Sequence, residues 1–512
     1  MSTDVSAGRE VRQDVRPANT KATLIAVALA SLMVPLAVTG PSLALTSMGT
    51  NLSAGVGGLQ WVLNAYNVAF AASLLAAGGL ADRFGRRRIL AAGTAIYTLM
   101  SLLTAVSGNI LVVDIARAIQ GTGSAGILTA GAATLAATFE GPARAKAFGI
   151  LGTAFGAGLA LGPLAAGVLV DLAGWRSVFL FNVVLGIVVL ALVPRLTESR
   201  NNVDGPLDWG GLVTFSVSLF LLAMAFVEGP VAGWGSVVTI GSFVGAAVFM
   251  GLFVVAERHA TNPTFDLSLF RRAKFVAVMS QPFTIVFGFV ILVVYLPEYF
   301  QGVDGISPAA TGALLLPLML PVFALPMLIG QIAARVPLRV LLTISSLLIA
   351  AGALWLVTLQ PWQGALGVVG PLLVFGIGVG SAFGVMDNAA VSSVPVERAG
   401  MAAGMFNTIR ITGESIAVAG AAALLGSVTL ATIRGAHLGL PDGRLSTVAV
   451  QAAQGRMAEA VGTTPAGERA QVLDAAVHGI TTAMHSTVLV IAGLAVLGAV
   501  VTFLGIRDRR TD

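Results

Sequence analysis

The sequence predicts an all-α polytopic membrane protein of fourteen transmembrane helices, arranged as two six-helix bundles with two helices inserted between them. Three observations carry this prediction. Of the 512 residues, 56% are hydrophobic and only 10% are charged, against about 25% charged in ordinary soluble proteins. Apolar windows of about 20 residues, enough to cross a bilayer core, recur along the whole chain. The basic residues sort into alternate loops between those windows.

The span cores read as 22–46, 59–80, 90–107, 110–135, 147–170, 177–194, 209–228 and 236–256, then 275–297, 308–331, 340–360, 365–389, 401–429 and 484–506. With the N-terminus placed on the cytoplasmic side, 22 of the 29 Lys and Arg residues fall in inside segments. One missed or extra span would destroy that asymmetry, so the count is even and both ends lie inside. Arg176, Arg434, Arg444, Arg456 and Arg469 fall outside, and only Arg117 and Arg410 fall within spans. Trp61, Trp175, Trp234 and Trp362 all fall at predicted outer ends, as an interfacial aromatic belt requires.

The segments between and beyond the spans exclude several function classes. Residues 1–21 are polar and read as a disordered cytoplasmic tail rather than a signal peptide, and 507–512 as a second cytoplasmic tail. The chain has no cysteine, so disulfides, thiolate metal sites and cysteine nucleophiles are excluded. His259, His437, His478 and His485 show no metal-ligand spacing. The net charge of +5 is explained by membrane topology, not by a nucleic-acid surface. Loop 430–483 is polar, with Thr464-Pro465 as a helix start, and reads as one or two amphipathic helices outside the membrane. It holds no nucleophile–base set and is too short for a core of its own. With no GxxxxGK[ST] phosphate loop, ATP is not the energy source within this chain. No enzyme, cofactor or metal is expected.

An internal repeat organises the spans. "GGLADRFGRRR" (78–88) aligns with "GQIAARVPLRV" (330–340), matching Gly78 to Gly330, Ala81 to Ala333, Arg83 to Arg335 and Arg87 to Arg339. Both segments follow the second span of a six-span group. The domains are then 22–194 and 275–506, the latter including loop 430–483, joined by a linker, 195–274, that carries the two extra spans. Such repeats with a site at their interface are how secondary transporters are commonly built.

Several segments carry a resemblance to a known family. Besides the 78–88 loop, these are "RAIQGTGSA" (117–125) in the fourth span, "GILGTAFGAGLALGPLAAG" (149–167) in the fifth, "GWRSVFLFN" (174–182) and "YLPEYFQGVDGISP" (295–308). Together they resemble the major facilitator superfamily, in particular its fourteen-helix drug:proton antiporter branch, over nearly the whole chain. The resemblance implies a monomer in the cytoplasmic membrane that exports lipophilic small molecules, drugs or antibiotic-like metabolites, in exchange for protons. Its partners would be the small-molecule substrate, protons and the lipid bilayer, with no nucleic acid.

Each motif has a plain physical reading beside the one the family implies. In the loop motif, Gly78, Asp82, Arg83, Gly85, Arg86 and Arg87 include arginines that hold a loop inside. The resemblance adds a conformational role in which Asp82 steadies the outward-facing state through contacts across the two halves. In the fifth span, Gly149, Gly158, Gly162, Pro163 and Gly167 suit close helix packing. The family's motif there bends and seals the outer side against the other half, and Ala166 replaces one of its paired glycines. Asp114 and Arg117 share one helical face and read as an ion pair. The family assigns this arginine the tuning of nearby carboxylates.

Asn407, Arg410 and Glu414 form one stripe of the thirteenth span, with Glu414 about 20 Å along it by helical rise. Burial and a neighbouring arginine pull a carboxyl's proton affinity in opposite directions, which suits an exchangeable proton. The plain alternative is a structural Arg410–Glu414 pair. Many branch members carry an acid near the position of Ala37, whereas residues 22–81 contain none. Proton coupling therefore falls to Glu414, Asp114 or Asp387, with Arg117 and Arg410 as partners, or is absent. A dedicated carrier without antiport, or a ligand sensor without turnover, are the alternatives. Asn64, Tyr66, Asn182 and Asn407 are the candidate polar anchors of a substrate cavity.

Overall fold

A computed structural model describes residues 19–506 except 55, 201–207, 261–266, 463 and 466. Most of the predicted N-terminal tail and all of the C-terminal one lie outside the described residues. The elements are α1 (Thr20–Leu52), α2 (Val56–Phe84), α3 (Arg86–Val106), α4 (Ile110–Thr138), α5 (Gly141–Ala173), α6 (Arg176–Leu192), α7 (Trp209–Ala232) and α8 (Val237–His259). They continue as α9 (Ala273–Met279), α10 (Gln281–Gly302), α11 (Pro308–Leu314), α12 (Leu316–Ile332), α13 (Leu338–Trp355), α14 (Ala365–Phe383), α15 (Met386–Val391) and α16 (Ala399–Gly435). The last three are α17 (Asp442–Ala453), α18 (Met457–Gly462) and α19 (Arg469–Gly505).

Among the described residues, twelve helical stretches are long and apolar enough to cross a membrane. Two more complete the fourteen. One is α4, whose hydropathy is diluted by Asp114, Arg117, Gln120 and a run of small residues. The other is the tenth span, which breaks at Leu315 into α11 and α12. The ninth and twelfth spans are likewise each two helices in line, α9–α10 and α14–α15.

Two expectations are corrected. Loop 430–483 is shorter than its composition suggested, because α16 runs on to Gly435 and α19 begins at Arg469. The two short helices α17 and α18 lie between them, and the helix that follows Thr464-Pro465 is the fourteenth span itself. Trp175 does not join an aromatic belt. It is 3% exposed, packed edge-on against Phe179 with Arg176 over its ring. Trp234 and Trp362 are exposed as expected.

Helices α1–α6 pack on one another, as do α9, α10, α12–α16 and α19. The α7–α8 hairpin lies against α2 and α16 through α7. Large apolar side chains remain exposed along α3, α6, α8, α13 and α19, among them Leu99, Val184, Val244, Leu347 and Leu497. In water such faces would be a liability; against lipid they are the outer surface.

The two groups meet along two seams, and the repeat-related glycines make both. A Cβ on Gly78 would sit 2.3 Å from the Gly400 carbonyl oxygen, and one on Gly404 2.7 Å from that of Leu74, which fixes the α2–α16 crossing. A Cβ on Gly330 would lie 2.8 Å from Gly149 Cα, and one on Gly156 2.5 Å from the Val322 carbonyl, which fixes α5–α12. Both seams lie toward the ends of the helices that carry Arg83, Arg86, Arg144, Arg335 and Arg398, here called the arginine-rich end.

Overpacking a tight contact costs roughly 1–3 kcal/mol. Gly78→Val and Gly149→Val are therefore each expected to weaken closure at this end by at least about fivefold. Because the chain has no thiol of its own, the alkylation rate of a single cysteine placed at Leu75 measures this directly.

Candidate functional site

Three clusters of polar residues lie in or at the membrane spans. The first is at the arginine-rich end. Helix α16 starts after Arg398, whose side chain provides no cap. Its first amides are capped instead from the other group of helices. Asp82 at the end of α2 accepts from Gly400 N–H (3.0 Å) and Met401 N–H (2.8 Å). Arg86 donates to the same carboxylate through Nε (3.2 Å) and Nη2 (3.0 Å), and Nη2 also donates to the Val396 carbonyl. A carboxylate against unsatisfied helix amides is favoured by both hydrogen bonding and the helix dipole. Its repeat counterpart, Ala334, has no carboxylate, so only one seam is locked in this way.

Glu198, which no sequence motif singles out, lies next to this lock. It accepts the Arg87 amide at the start of α3 (3.0 Å) and lies 3.9 Å from Arg87 Nε and 3.7 Å from Arg88 Nε. Gly85, at φ 111°, leaves the space that the Glu198 carboxyl fills. Arg87 also donates to the Leu196 carbonyl (3.2 Å). Arg83 is partly exposed in the last turn of α2. The only available signal for Glu198 was an acid standing among the basic residues of a loop.

The second cluster surrounds Arg117, which is completely buried. The expected ion pair with Asp114 is not formed. Instead Nε donates to the Val62 carbonyl (2.8 Å), Nη1 to Gln120 Oε1 (2.6 Å) and Nη2 to the Ala37 carbonyl (2.7 Å). The guanidinium also stacks over Tyr66 at 4.3 Å. The Ala37 carbonyl is available for a reason legible in α1. Pro41, four residues on, lacks the amide hydrogen that would otherwise satisfy it. Where many branch members are expected to carry an acid, this chain thus offers a backbone carbonyl. Asp114 is partly exposed, and its buried Oδ1 has no partner.

The third cluster is in the second group of helices. Arg410 is 2% exposed, and its nearest acid is Asp387, with Nη1 3.9 Å from Oδ2. Its Nε and Nη2 have no hydrogen-bond partner, and Phe155 of α5 covers its face at 4.4 Å. Glu414, one turn further along α16, is partly exposed and forms no ion pair with Arg410, which corrects the plain pairing read from the sequence. Asp387 is buried in α15. The structure therefore sets Asp387 beside Arg410, with Glu414 one helical turn along from that arginine, and pairs Asp114 with none of them.

Two other expectations change. Gly158 and Gly162 of the fifth span do not face the other group. They meet Pro35 and Thr39 of α1, and Gly167 touches Leu43, while Gly149, Gly152 and Gly156 make the crossing. Pro163 is internal to α5. Of the four cavity anchors, only Asn64 is partly exposed. Tyr66 is buried, donating to Ser124 Oγ (2.7 Å). Asn407 is buried and donates to the Ala403 carbonyl (2.9 Å), and Asn182 is buried between α1, α5 and α6.

A membrane architecture that is helical among the described residues, with paired seams and buried charges, is that of a polytopic membrane transporter. The comparisons with known proteins agree. A family profile described as Major Facilitator Superfamily matches residues 25–418, and the chain belongs to that superfamily. It is 34% identical to the multidrug resistance protein Stp of Mycobacterium tuberculosis, over 80% of this chain and 76% of that one. It is 30% identical to the tetracenomycin C resistance and export protein of Streptomyces glaucescens, over 96% and 92%. Among solved structures, the human organic anion transporter MFSD10 aligns with a TM-score of 0.59 at 16% identity, covering 94% of this chain and 99% of that one. The proton:xylose symporter XylE aligns at 0.58 and 14%, covering 94% of each. The protein is a transporter, not an enzyme.

Arg117→Leu leaves the Ala37 and Val62 carbonyls without a donor and is expected to cost about 3 kcal/mol or more, read as a lowered Tm of the purified protein. Asp82→Asn keeps the shape but removes the charge at the α16 terminus, a loss of about 1–2 kcal/mol. It is expected to raise alkylation of Leu75→Cys about tenfold without changing Tm comparably.

Proposed function

We propose that the protein is a proton-driven exporter of lipophilic small molecules across the cytoplasmic membrane, working as a monomer by alternating access. Both termini and the arginine-rich end face the cytoplasm, since that is where the positive-inside asymmetry puts them. Seams closed at that end would make this the outward-facing arrangement of the cycle. The two six-helix domains, residues 22–194 and 275–506, would rock against each other about the membrane midplane, with 195–274 following as a linker.

The observation that carries the proton coupling is that one buried guanidinium, Arg410, lies 3.9 Å from the Asp387 carboxyl of the neighbouring span and one helical turn before Glu414 of its own. With both carboxyls ionised the cluster holds one net negative charge; with one protonated it is neutral. An apolar surrounding favours the neutral arrangement, so the cluster takes up one proton and must release it when its surroundings change. Arg117 is not part of this exchange, because its donors are committed to fixed carbonyls and to Gln120.

The cargo class rests on kinship with proteins named for multidrug resistance and for export of tetracenomycin C. Few polar anchors and many apolar faces suit weakly specific binding of lipophilic molecules. A second reading, a dedicated carrier without antiport, draws on the missing acid at Ala37.

In proteoliposomes with an imposed pH gradient, ethidium and tetracenomycin C are the first probes. Glu414→Gln is expected to abolish gradient-driven uptake while leaving probe binding intact. Uptake that ignores the gradient in the wild type would favour the carrier without antiport.

A further inference from the structure

The twelfth span is interrupted at the level of the coupling cluster. Helix α14 stops at Phe383, Val385 leaves helical geometry at φ −134°, and α15 resumes at Met386, one residue before Asp387. The orientation of this break decides where the Asp387 carboxyl stands. One turn of α5, from the other domain, rests on it. A Cβ at Gly152 would lie 2.4 Å from the Phe383 carbonyl oxygen, so the α5 backbone abuts the break directly. Three residues on, the Phe155 ring lies 6.1 Å from the Phe383 ring and 4.4 Å over the Arg410 guanidinium.

A single turn of α5 thus touches both members of the Asp387–Arg410 pair. That pair is loosely made, since 3.9 Å between Nη1 and Oδ2 is beyond hydrogen-bond distance. The Nε and Nη2 edge of Arg410, the edge that grips a carboxylate in bidentate fashion, is buried and unpartnered. An aromatic face attracts a guanidinium from above without occupying its in-plane donors.

We propose that Phe155 is a positioning residue that couples closure of the two domains to the proton-carrying cluster. With the arginine-rich end closed, the ring holds Arg410 away from a bidentate grip on either carboxyl, and Gly152 holds the α14–α15 break. When α5 withdraws, the ring leaves, and the free edge of Arg410 engages the protonated carboxyl, Asp387 or Glu414, whose proton passes to water on the cytoplasmic side that the movement opens. Domain movement and proton release then become one event. This inference rests on the proton-coupled reading above.

The test uses the full chain in liposomes with ethidium as probe, in two assays on the same preparation. One is uptake driven by a pH gradient; the other is gradient-free exchange of labelled for unlabelled ethidium. Phe155→Leu is expected to lower gradient-driven uptake about tenfold while changing exchange by less than about twofold, and to flatten the pH profile of uptake. Phe155→Tyr, which keeps the ring, restores uptake. If Phe155→Leu does not purify as a monodisperse protein, Gly152→Ala, which pushes on the Phe383 carbonyl, is expected to give the same split. Equal loss in both assays, no loss in either, or failure of Phe155→Tyr to restore uptake overturns the inference. Absence of gradient-driven uptake in the wild type overturns the proton-coupled reading itself, and the inference with it.

Discussion

At the arginine-rich end the two domains touch backbone to backbone, and the rest of the arrangement depends on that contact. It exists because Gly78, Gly400 and Gly404 on one seam, and Gly149, Gly156 and Gly330 on the other, present no Cβ. In lipid there is little hydrophobic drive between helices, so close packing and interhelical hydrogen bonds must hold them. Only at this approach does Asp82 reach the first amides of α16. The same approach on the α5 side brings Phe155 onto Arg410.

Two buried arginines show two ways of meeting the cost of a charge in a membrane. Arg117 is saturated by Val62, Ala37, Gln120 and the Tyr66 face, and one of those acceptors exists because Pro41 releases it. Such a group is fixed in place and binds α1, α2 and α4 into one body. Arg410 is left with an unpartnered edge, a distant acid and a borrowed aromatic face. Buried donors without partners are expensive, and this is the kind of local imbalance that a change of conformation relieves. The two arginines thus differ in how far their donors are satisfied, Arg117 at every nitrogen and Arg410 not at Nε or Nη2.

Much of the architecture was legible in advance. Hydropathy located the spans, and the 78–88 and 330–340 repeat picked out one glycine of each seam, Gly78 and Gly330. Legibility failed where a side chain's partner is distant in sequence. Asp114 and Arg117 share a helical face, yet Arg117 turns to carbonyls of α1 and α2. Arg410 and Glu414 are one turn apart, yet the acid nearest Arg410 comes from α15. Backbone carbonyls carry no signature in sequence, and no pattern marks Phe155 as different from the chain's other phenylalanines. Glu198 was visible only as an acid among bases.

The sequence by itself determined the solvent, the number of spans and the short list of charges that a membrane protein must explain. These follow from transfer free energies and periodicity, which act locally along the chain. Only the tertiary structure decided which of those charges is satisfied and which is poised. It also showed that Gly158 and Gly162 serve α1 while Gly149, Gly152 and Gly156 serve the other domain. Hydrogen bonds and ring contacts depend on separations of a few ångströms between residues up to hundreds of positions apart, as between Asp82 and Met401. Such separations are set by how the helices cross, and crossing is a property of the packed whole.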